Sequence, residues 1–159
     1  MQNDTILLEV KNLNKTFPVK KEELYAVSDV SFSLKKGECL GIVGESGCGK
    51  STVARMIAGI IPVSGGEVLL EGEAYMNLKG SEKRRFRRNI QMVFQDPFSS
   101  LNPRLRVGAS VAEPLRMTRP ELSSGQIEEK VCAMLEQVEL RPEHARLFPH
   151  EFSGGQRQR

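Results

Sequence analysis

The stretch GESGCGKST, from Gly44 to Thr52, places the tightest constraint on the fold of this chain. It fits the pattern G-x-x-x-x-G-K-[ST], in which glycines allow a tight backbone turn before a lysine and a hydroxyl. The short apolar run Cys39–Val43 precedes it and apolar residues at helical spacing follow it, so we predict a strand, a loop and a helix. Such a loop binds phosphate groups, because backbone N–H groups and a helix N-terminus converge on an anion.

Different residues of this loop are expected to contact different parts of a nucleoside triphosphate or diphosphate. Lys50 is expected to reach the β and γ phosphates, Ser51 to ligate Mg²⁺, and Thr52 to donate a hydrogen bond to phosphate. Cys48 is interpreted as a small filling side chain. The predicted nucleotide-binding residues of the loop are Gly44, Glu45, Ser46, Gly47, Cys48, Gly49, Lys50, Ser51 and Thr52. The loop alone leaves kinases, GTPases and many ATPases open.

Hydrophobic periodicity predicts a strand-rich first part and a helical second part. The predicted strands are Ile6–Phe17, Ala26–Leu34, Cys39–Val43, Glu67–Tyr75 and Asn89–Gln95, and the predicted helices are Ser51–Ile61, Ser81–Arg88, Ala109–Met117 and Ser123–Leu140. Ser81 is the predicted N-cap of the second helix. The last helix carries an apolar stripe made of Ile127, Val131, Met134, Leu135 and Val138.

Charge and cysteine content narrow the possible partners. The formal net charge of +3 is mild for a nucleic-acid-binding domain, so no nucleic-acid partner is expected. The basic run Lys83–Arg88 is interpreted as a solvated helix face, with contact to phosphate or an acidic partner as the alternative.

Cys39, Cys48 and Cys132 have neither zinc-site nor disulfide spacing. No apolar run approaches the ~20 residues that cross a bilayer, so any membrane role goes through a partner.

A second motif, FSGGQ from Phe152 to Gln156, narrows the nucleotide-binding class. Together with Gly44–Thr52, the motif resembles the ATP-binding subunit of ABC transporters. In that family Walker A is followed by a glutamine loop and a signature usually written LSGGQ; here Phe152 replaces the leucine. The resemblance implies an α/β fold, a P-loop NTPase with an antiparallel β subdomain and a helical subdomain, and ATP with Mg²⁺ as cofactors.

Further positions acquire roles from the same resemblance. Gln95, in QMVFQDP, matches the glutamine of the Q-loop and is expected to contact the metal and to act in catalysis beside Lys50. Phe17, in NKTF, matches an aromatic residue that stacks on adenine; Tyr25 and a plain core role for Phe17 remain alternatives. Asp96 is a less favoured candidate for the Walker B carboxylate. The signature residues Ser153, Gly154, Gly155 and Gln156 are expected to face ATP held by a second subunit.

The resemblance divides the chain at residues 94 and 95. Residues 1–94 are expected to form a nucleotide-binding core with the antiparallel β subdomain, and residues 95–159 the Q-loop and helical subdomain. The family's Walker B strand and switch histidine follow the signature, and no match to them follows Gln156. The cassette is therefore expected to be incomplete at the C-terminus, with His144 and His150 as surface residues. The four residues after the glycines are not expected to form a helix, because even ~12 residues are marginal.

A narrower resemblance points to the ATPase subunits of oligopeptide and dipeptide importers, a group that includes nickel importers. It is carried by FQDPFSSLNPR, from Phe94 to Arg104, by EPLR and by PHEFSGGQRQR. It implies transmembrane permease subunits and a second ATPase subunit, identical or different, as partners, with a substrate-binding protein involved indirectly. The location implied is the cytoplasmic face of the cell membrane. The alternatives are a truncated module that pairs with a complete ATPase, or a soluble ABC-type ATPase acting on ribosomes or DNA repair.

The 159-residue chain is expected to bind nucleotide without hydrolysing it, because the motif that polarises the attacking water has no match in it. Steady-state phosphate release should equal that of Lys50→Ala. Release clearly above this variant would contradict the expectation.

Overall fold

The computed structural model describes residues 5–20, 22–75, 78–96 and 100–159. The chain divides into two compact units, Met1–Met92 and Val93–Arg159. The first contains strands β1 (Ile6–Val19), β2 (Glu22–Lys35), β3 (Gly65–Leu70) and β4 (Glu73–Ala74) with helices α1 (Lys50–Ile57) and α2 (Gly80–Arg88). The second contains α3 (Val107–Thr118), α4 (Ser124–Gln137), two 3₁₀ turns (Pro142–Arg146 and Pro149–Glu151) and α5 (Gly154–Gln158).

The first unit is built on an antiparallel sheet in the order β2-β1-β3-β4. Alternation along β1 sends Leu8 and Val10 into the core. An irregularity at Asn12, whose φ is 46°, then returns Leu13 to the same face, and all three residues meet Val68 of β3. The two long strands predicted from the sequence are thereby confirmed. The predicted strand Glu67–Tyr75 is instead the hairpin of β3 and β4, because Glu71 and Gly72 both have positive φ and reverse the chain.

Helix α1 packs on this sheet through Val53 and Met56, which are buried. It ends at Ile57, four residues before the predicted end at Ile61. The reason is Gly59, whose φ of 66° terminates the helix while its N–H donates to the Met56 carbonyl (3.0 Å). The apolar spacing beyond Ile57 therefore belongs to a loop.

Two side chains that follow β4 in the sequence, Tyr75 and Arg87, donate hydrogen bonds at the end of α1. The Tyr75 hydroxyl donates to the Met56 carbonyl at 2.9 Å, and the Arg87 guanidinium donates to the Gly59 carbonyl at 2.8 Å. The Tyr75 ring stacks on Phe86 of α2, with centroids 4.8 Å apart. These contacts satisfy carbonyls that a helix end leaves without intrahelical partners.

Helix α2 carries the basic run on its exposed side. Phe86 is buried, whereas Arg84, Arg85 and Arg88 are exposed, as a solvated helix face requires. The predicted N-cap is wrong: Lys79 is at the cap, its backbone is extended, and its side chain makes no cap hydrogen bond. The helix is held by packing of Phe86 rather than by a serine cap.

Helices α3 and α4 form the core of the second unit. Ile127, Val131 and Leu135 of α4 are buried at successive i, i+4 positions. The predicted stripe was too wide, because Met134 and Val138 lie at its edge and are partly exposed. Ser123 and Gln126 form a capping box that starts α4. Within the described ranges, no helix is long and apolar enough to cross a bilayer.

Two predicted strands are absent from the described sheet. Cys39–Val43 and Asn89–Gln95 lie outside every strand, and Val43 and Val93 are 92% and 95% exposed. An apolar run becomes a strand only when a neighbouring backbone pairs with it. Neither segment is paired in the part of the chain described here, so both predictions are wrong for this structure.

The signature segment does form a helix, against expectation. Helix α5 begins after Ser153, whose hydroxyl accepts from the Gln156 N–H at 3.3 Å while the Gln156 side chain accepts from the Ser153 N–H at 2.9 Å. Phe152, just before this cap, is buried in the second core. The capping box and the buried anchor supply what an isolated segment of this length lacks.

Substitution of Tyr75 by phenylalanine should lower the free energy of unfolding by about 1 kcal/mol, because one buried hydrogen bond is lost. The Met56 carbonyl keeps its bond from Gly59, which limits the cost.

Burial also raises the pKa of Tyr75 above 10.0. From pH 10 upward the unfolded chain therefore releases this proton more readily than the folded chain, and stability falls. Tyr75→Phe should remove that part of the alkaline loss.

Urea unfolding at pH 7 and at about pH 10.5 measures both effects. Tyr25→Phe is the matched control, because Tyr25 is 68% exposed and its substitution should change stability by less than about 0.5 kcal/mol. Equal effects of the two substitutions would contradict the role assigned to Tyr75.

Candidate nucleotide site

The loop Gly44–Thr52 leads directly into helix α1, of which Lys50 is the first residue and Ser51 and Thr52 the next two. Gly49 occupies the N-cap position with φ of 94°, a conformation that favours glycine. The first turn of α1 contains no acidic residue. Its N–H groups and the positive end of the helix dipole are therefore available to an anion.

Gly49 also fixes how close the loop lies to the sheet. A Cβ at this position would lie 2.5 Å from the Ala26 carbonyl oxygen and 3.2 Å from Cγ2 of Val27. Any larger residue would push the loop away from β2. The second glycine of the motif is thus required both by its backbone conformation and by its packing.

The loop curls around the side chain of Lys50. Its ammonium donates to the carbonyls of Gly44 (2.9 Å) and Glu45 (2.6 Å) and lies 3.5 Å from the Cys48 sulfur. The lysine is consequently held at the centre of the curve formed by the preceding residues. Ser46, Gly47 and Cys48 are exposed along this curve.

Phe17 lies near the end of β1 and is half-buried. Lys15, two residues earlier on the same strand face, places its ammonium 4.8 Å from the centre of the Phe17 ring. Sequence reasoning did not single out Lys15, although NKTF places it at the strand period of two before the aromatic residue. Tyr25 pairs with Thr16, so strand alternation puts it on the opposite face of the sheet from Phe17.

The Q-loop glutamine and the signature belong to the second unit. Gln95 and Asp96 are exposed, and residues 97–99, which follow them, lie outside the described residues. Ser153, Gly154 and Gly155 are exposed at the start of α5, and Gln156 is partly buried. The roles of Gln95 in catalysis and metal contact, and of the signature toward ATP, stay predictions.

His144 is buried, which corrects its assignment to the surface. Its Nδ1 accepts from the Arg141 N–H at 3.0 Å, and its ring meets Phe152 edge-on with centroids 5.5 Å apart. The imidazole therefore supports the residue that anchors the signature. His150 is exposed, as expected, and stacks on Phe148.

Comparison with known proteins places these motifs in a family. Residues 27–159 match the family model described as ABC transporter. The oligopeptide transport ATP-binding protein OppF of Haemophilus influenzae is 47% identical over 99% of this chain and 50% of its own length. The glutathione import ATP-binding protein GsiA of Pectobacterium atrosepticum is 44% identical over 96% of this chain and 26% of its own.

A solved structure shares the fold of this chain. The ATP-binding cassette MJ0796, determined as a dimer in a post-hydrolysis state bound to ADP and Pi, superimposes with a TM-score of 0.82 at 32% identity. The match covers 96% of this chain and 66% of that one. The chain spans about half the length of the OppF relatives it matches. Its fold is that of part of an ATP-binding cassette, and the chain belongs to the ABC transporter family.

Proposed function

We propose that this chain binds ATP and Mg²⁺ at Gly44–Thr52, and that the protein it represents is the ATP-hydrolysing subunit of an oligopeptide importer. The observation that carries the proposal is the loop closed around Lys50 at the start of α1.

Lys50 is the central cation of this proposed site. Its ammonium is held by two carbonyl oxygens, which are neutral acceptors. The phosphate groups of a nucleotide are anionic, and their oxygens form stronger hydrogen bonds with an ammonium than neutral carbonyl oxygens do. Nucleotide can therefore replace these carbonyls at Lys50 while the N–H groups of the helix start bind the remaining phosphate oxygens. Thr52 adds its hydroxyl in the same turn.

Magnesium fits this donor set as a partner of the nucleotide rather than of a protein cage. The described residues contain no group of three or more His, Cys, Asp or Glu that could hold a metal. Mg²⁺ commonly binds through one or two protein oxygens together with phosphates and water. Ser51, exposed in the first turn of α1, supplies a suitable hydroxyl, and Gln95 is the second proposed ligand. The bound ion would neutralise charge that builds on the phosphates.

Phe17 is the proposed platform for adenine. It shares a strand face with Lys15, which pairs with Val27, and Val27 borders the Gly49 end of the phosphate loop. This arrangement supports Phe17 over Tyr25, which alternation places on the other face. A stacked base adds about 1 kcal/mol to the binding supplied by the phosphates.

A second ATPase subunit is proposed to complete the site. The signature residues Ser153, Gly154 and Gly155 are exposed at the start of α5, where a hydroxyl and bare amides can approach another molecule. MJ0796 is dimeric in two of the solved structures that match this chain. In the proposed assembly, the two subunits are identical or different. Each places Ser153–Gln156 toward the ATP bound by its neighbour. Gln95 of each subunit lies toward the metal that the same subunit binds.

Permease subunits in the membrane are the other proposed partners. They would hold the ATPase at the cytoplasmic face, with a substrate-binding protein engaged only through them. Oligopeptide and glutathione transport appear in the names of the relatives, which favours a peptide over nickel as the transported molecule. In this proposal, the permease subunits transport peptides and this chain binds ATP.

Lys50→Ala should weaken MgATP binding by about tenfold or more, because hydrogen bonds to charged groups contribute ~1.5–3 kcal/mol. Titration with a fluorescent ATP analogue measures the affinity. Lys130→Ala is the control, since Lys130 is exposed on α4 and alanine favours a helix. Unchanged affinity for Lys50→Ala would contradict the proposed phosphate site.

Bound nucleotide should protect Cys48 from alkylation by iodoacetamide. Its sulfur lies in the curve of the loop, 3.5 Å from the Lys50 ammonium, and phosphates there would cover it. Peptide mass spectrometry can follow Cys48 and Cys39, which is also exposed, in one sample. ATP should slow modification of Cys48 several-fold and leave Cys39 unchanged; a Cys48 rate unaffected by saturating ATP would place the phosphates elsewhere.

A further inference from the structure

We propose that Lys15 is a positioning residue for the purine base: its ammonium supports one face of the Phe17 ring and leaves the opposite face for stacking. This inference rests on the proposed function, in which Phe17 carries adenine. It adds a cation to the base-binding part of the site, distinct from the cation that serves the phosphates.

The contact between Lys15 and Phe17 follows from strand geometry. Residues two apart on a strand point to the same face, and the face of β1 that buries Leu13 continues to Lys15 and then to Phe17. The ammonium lies 4.8 Å from the ring centre, within the range of a cation–π contact. Lys15 therefore lies between the hydrophobic core and the aromatic ring.

The burial of Lys15 is unusual for its residue type. It is 8% exposed, although lysine is seldom so buried unless it is paired. Within the described ranges no carboxylate forms an ion pair with it, and the contact that the structure gives its ammonium is the Phe17 ring. A lysine this buried places its aliphatic stem along the strand face. Its ammonium then contacts the Phe17 ring.

The position of Lys15 also relates the ring to the phosphate loop. Lys15 is paired with Val27 on β2, and Cγ2 of Val27 would lie 3.2 Å from a Cβ on Gly49. Paired residues on antiparallel strands share a face. Only Val27 therefore separates Lys15 from Gly49 of the proposed phosphate loop, and Phe17 follows Lys15 on the same strand face.

A cation on one face of the ring strengthens stacking on the other. The π faces of both phenylalanine and a purine are negative, so a direct face-to-face approach is opposed by their quadrupoles. An ammonium beneath the Phe17 ring offsets part of this negative charge. It also limits rotation of the ring, which lowers the entropy lost when a base binds.

The test separates the base from the phosphates by using two ligands, ATP and inorganic tripolyphosphate, titrated calorimetrically into the 159-residue chain. Lys15→Met keeps an unbranched stem and removes the charge. It should weaken ATP binding by about threefold to fivefold, as expected for a cation–π contact, and leave tripolyphosphate binding unchanged. Lys15→Arg should restore ATP affinity, because a guanidinium also stacks on an aromatic face.

Two further variants isolate the contact. Lys11→Met removes an exposed ammonium from the same strand and should change neither affinity. In a Phe17→Ala background, Lys15→Met should have no additional effect on ATP, since the ring through which it acts is gone.

The outcomes are distinct. Equal loss of ATP and tripolyphosphate binding in Lys15→Met would overturn the inference, because Lys15 would then serve the phosphates or the fold. Unchanged ATP affinity in Lys15→Met would overturn it while leaving the phosphate site intact. A wild-type chain that binds neither ligand would instead defeat the proposed function itself.

Discussion

The close approach of Gly49 to strand β2 is the constraint on which the rest of the site depends. The Ala26 carbonyl leaves no room for a Cβ at this position, and the positive φ of Gly49 excludes most other residues independently. Because Gly49 immediately precedes α1, the same contact sets where the helix starts and where its N–H groups point. The loop Gly44–Thr52 therefore derives its shape from the sheet beneath it as much as from its own glycines.

Helix α1 is secured at both ends by different physical means. At its start, the backbone of Gly49 packs on β2. At its end, Tyr75 donates to the Met56 carbonyl in the last turn, and Arg87 donates to the carbonyl of Gly59, just beyond the helix. The Tyr75 ring stacks on Phe86, so this restraint is also part of the core. An eight-residue helix is too short to be stable in water by itself, and these contacts supply the difference.

Local signals in the sequence predicted the elements that depend on local physics. Alternation identified β1 and β2, and the G-x-x-x-x-G-K-[ST] spacing identified the loop at the start of α1. Segments that depend on distant partners were predicted less well: Cys39–Val43 and Asn89–Gln95 have the composition of strands, but composition cannot supply the neighbouring backbone that a strand requires. The signature helix was missed for the opposite reason, because a capping box and the buried Phe152 outweighed its short length.

The face of β1 that builds the core also builds the base-binding part of the proposed site. Leu13 is fully buried, Lys15 nearly so, and Phe17 only half, so one strand face passes from core to surface over three positions spaced two residues apart. A purely apolar residue at the middle position would extend the core but leave the Phe17 ring without a charged support. A lysine meets both demands, because its stem packs with the core while its ammonium remains against the ring. In the proposed site, base recognition and core packing are therefore coupled through a single side chain.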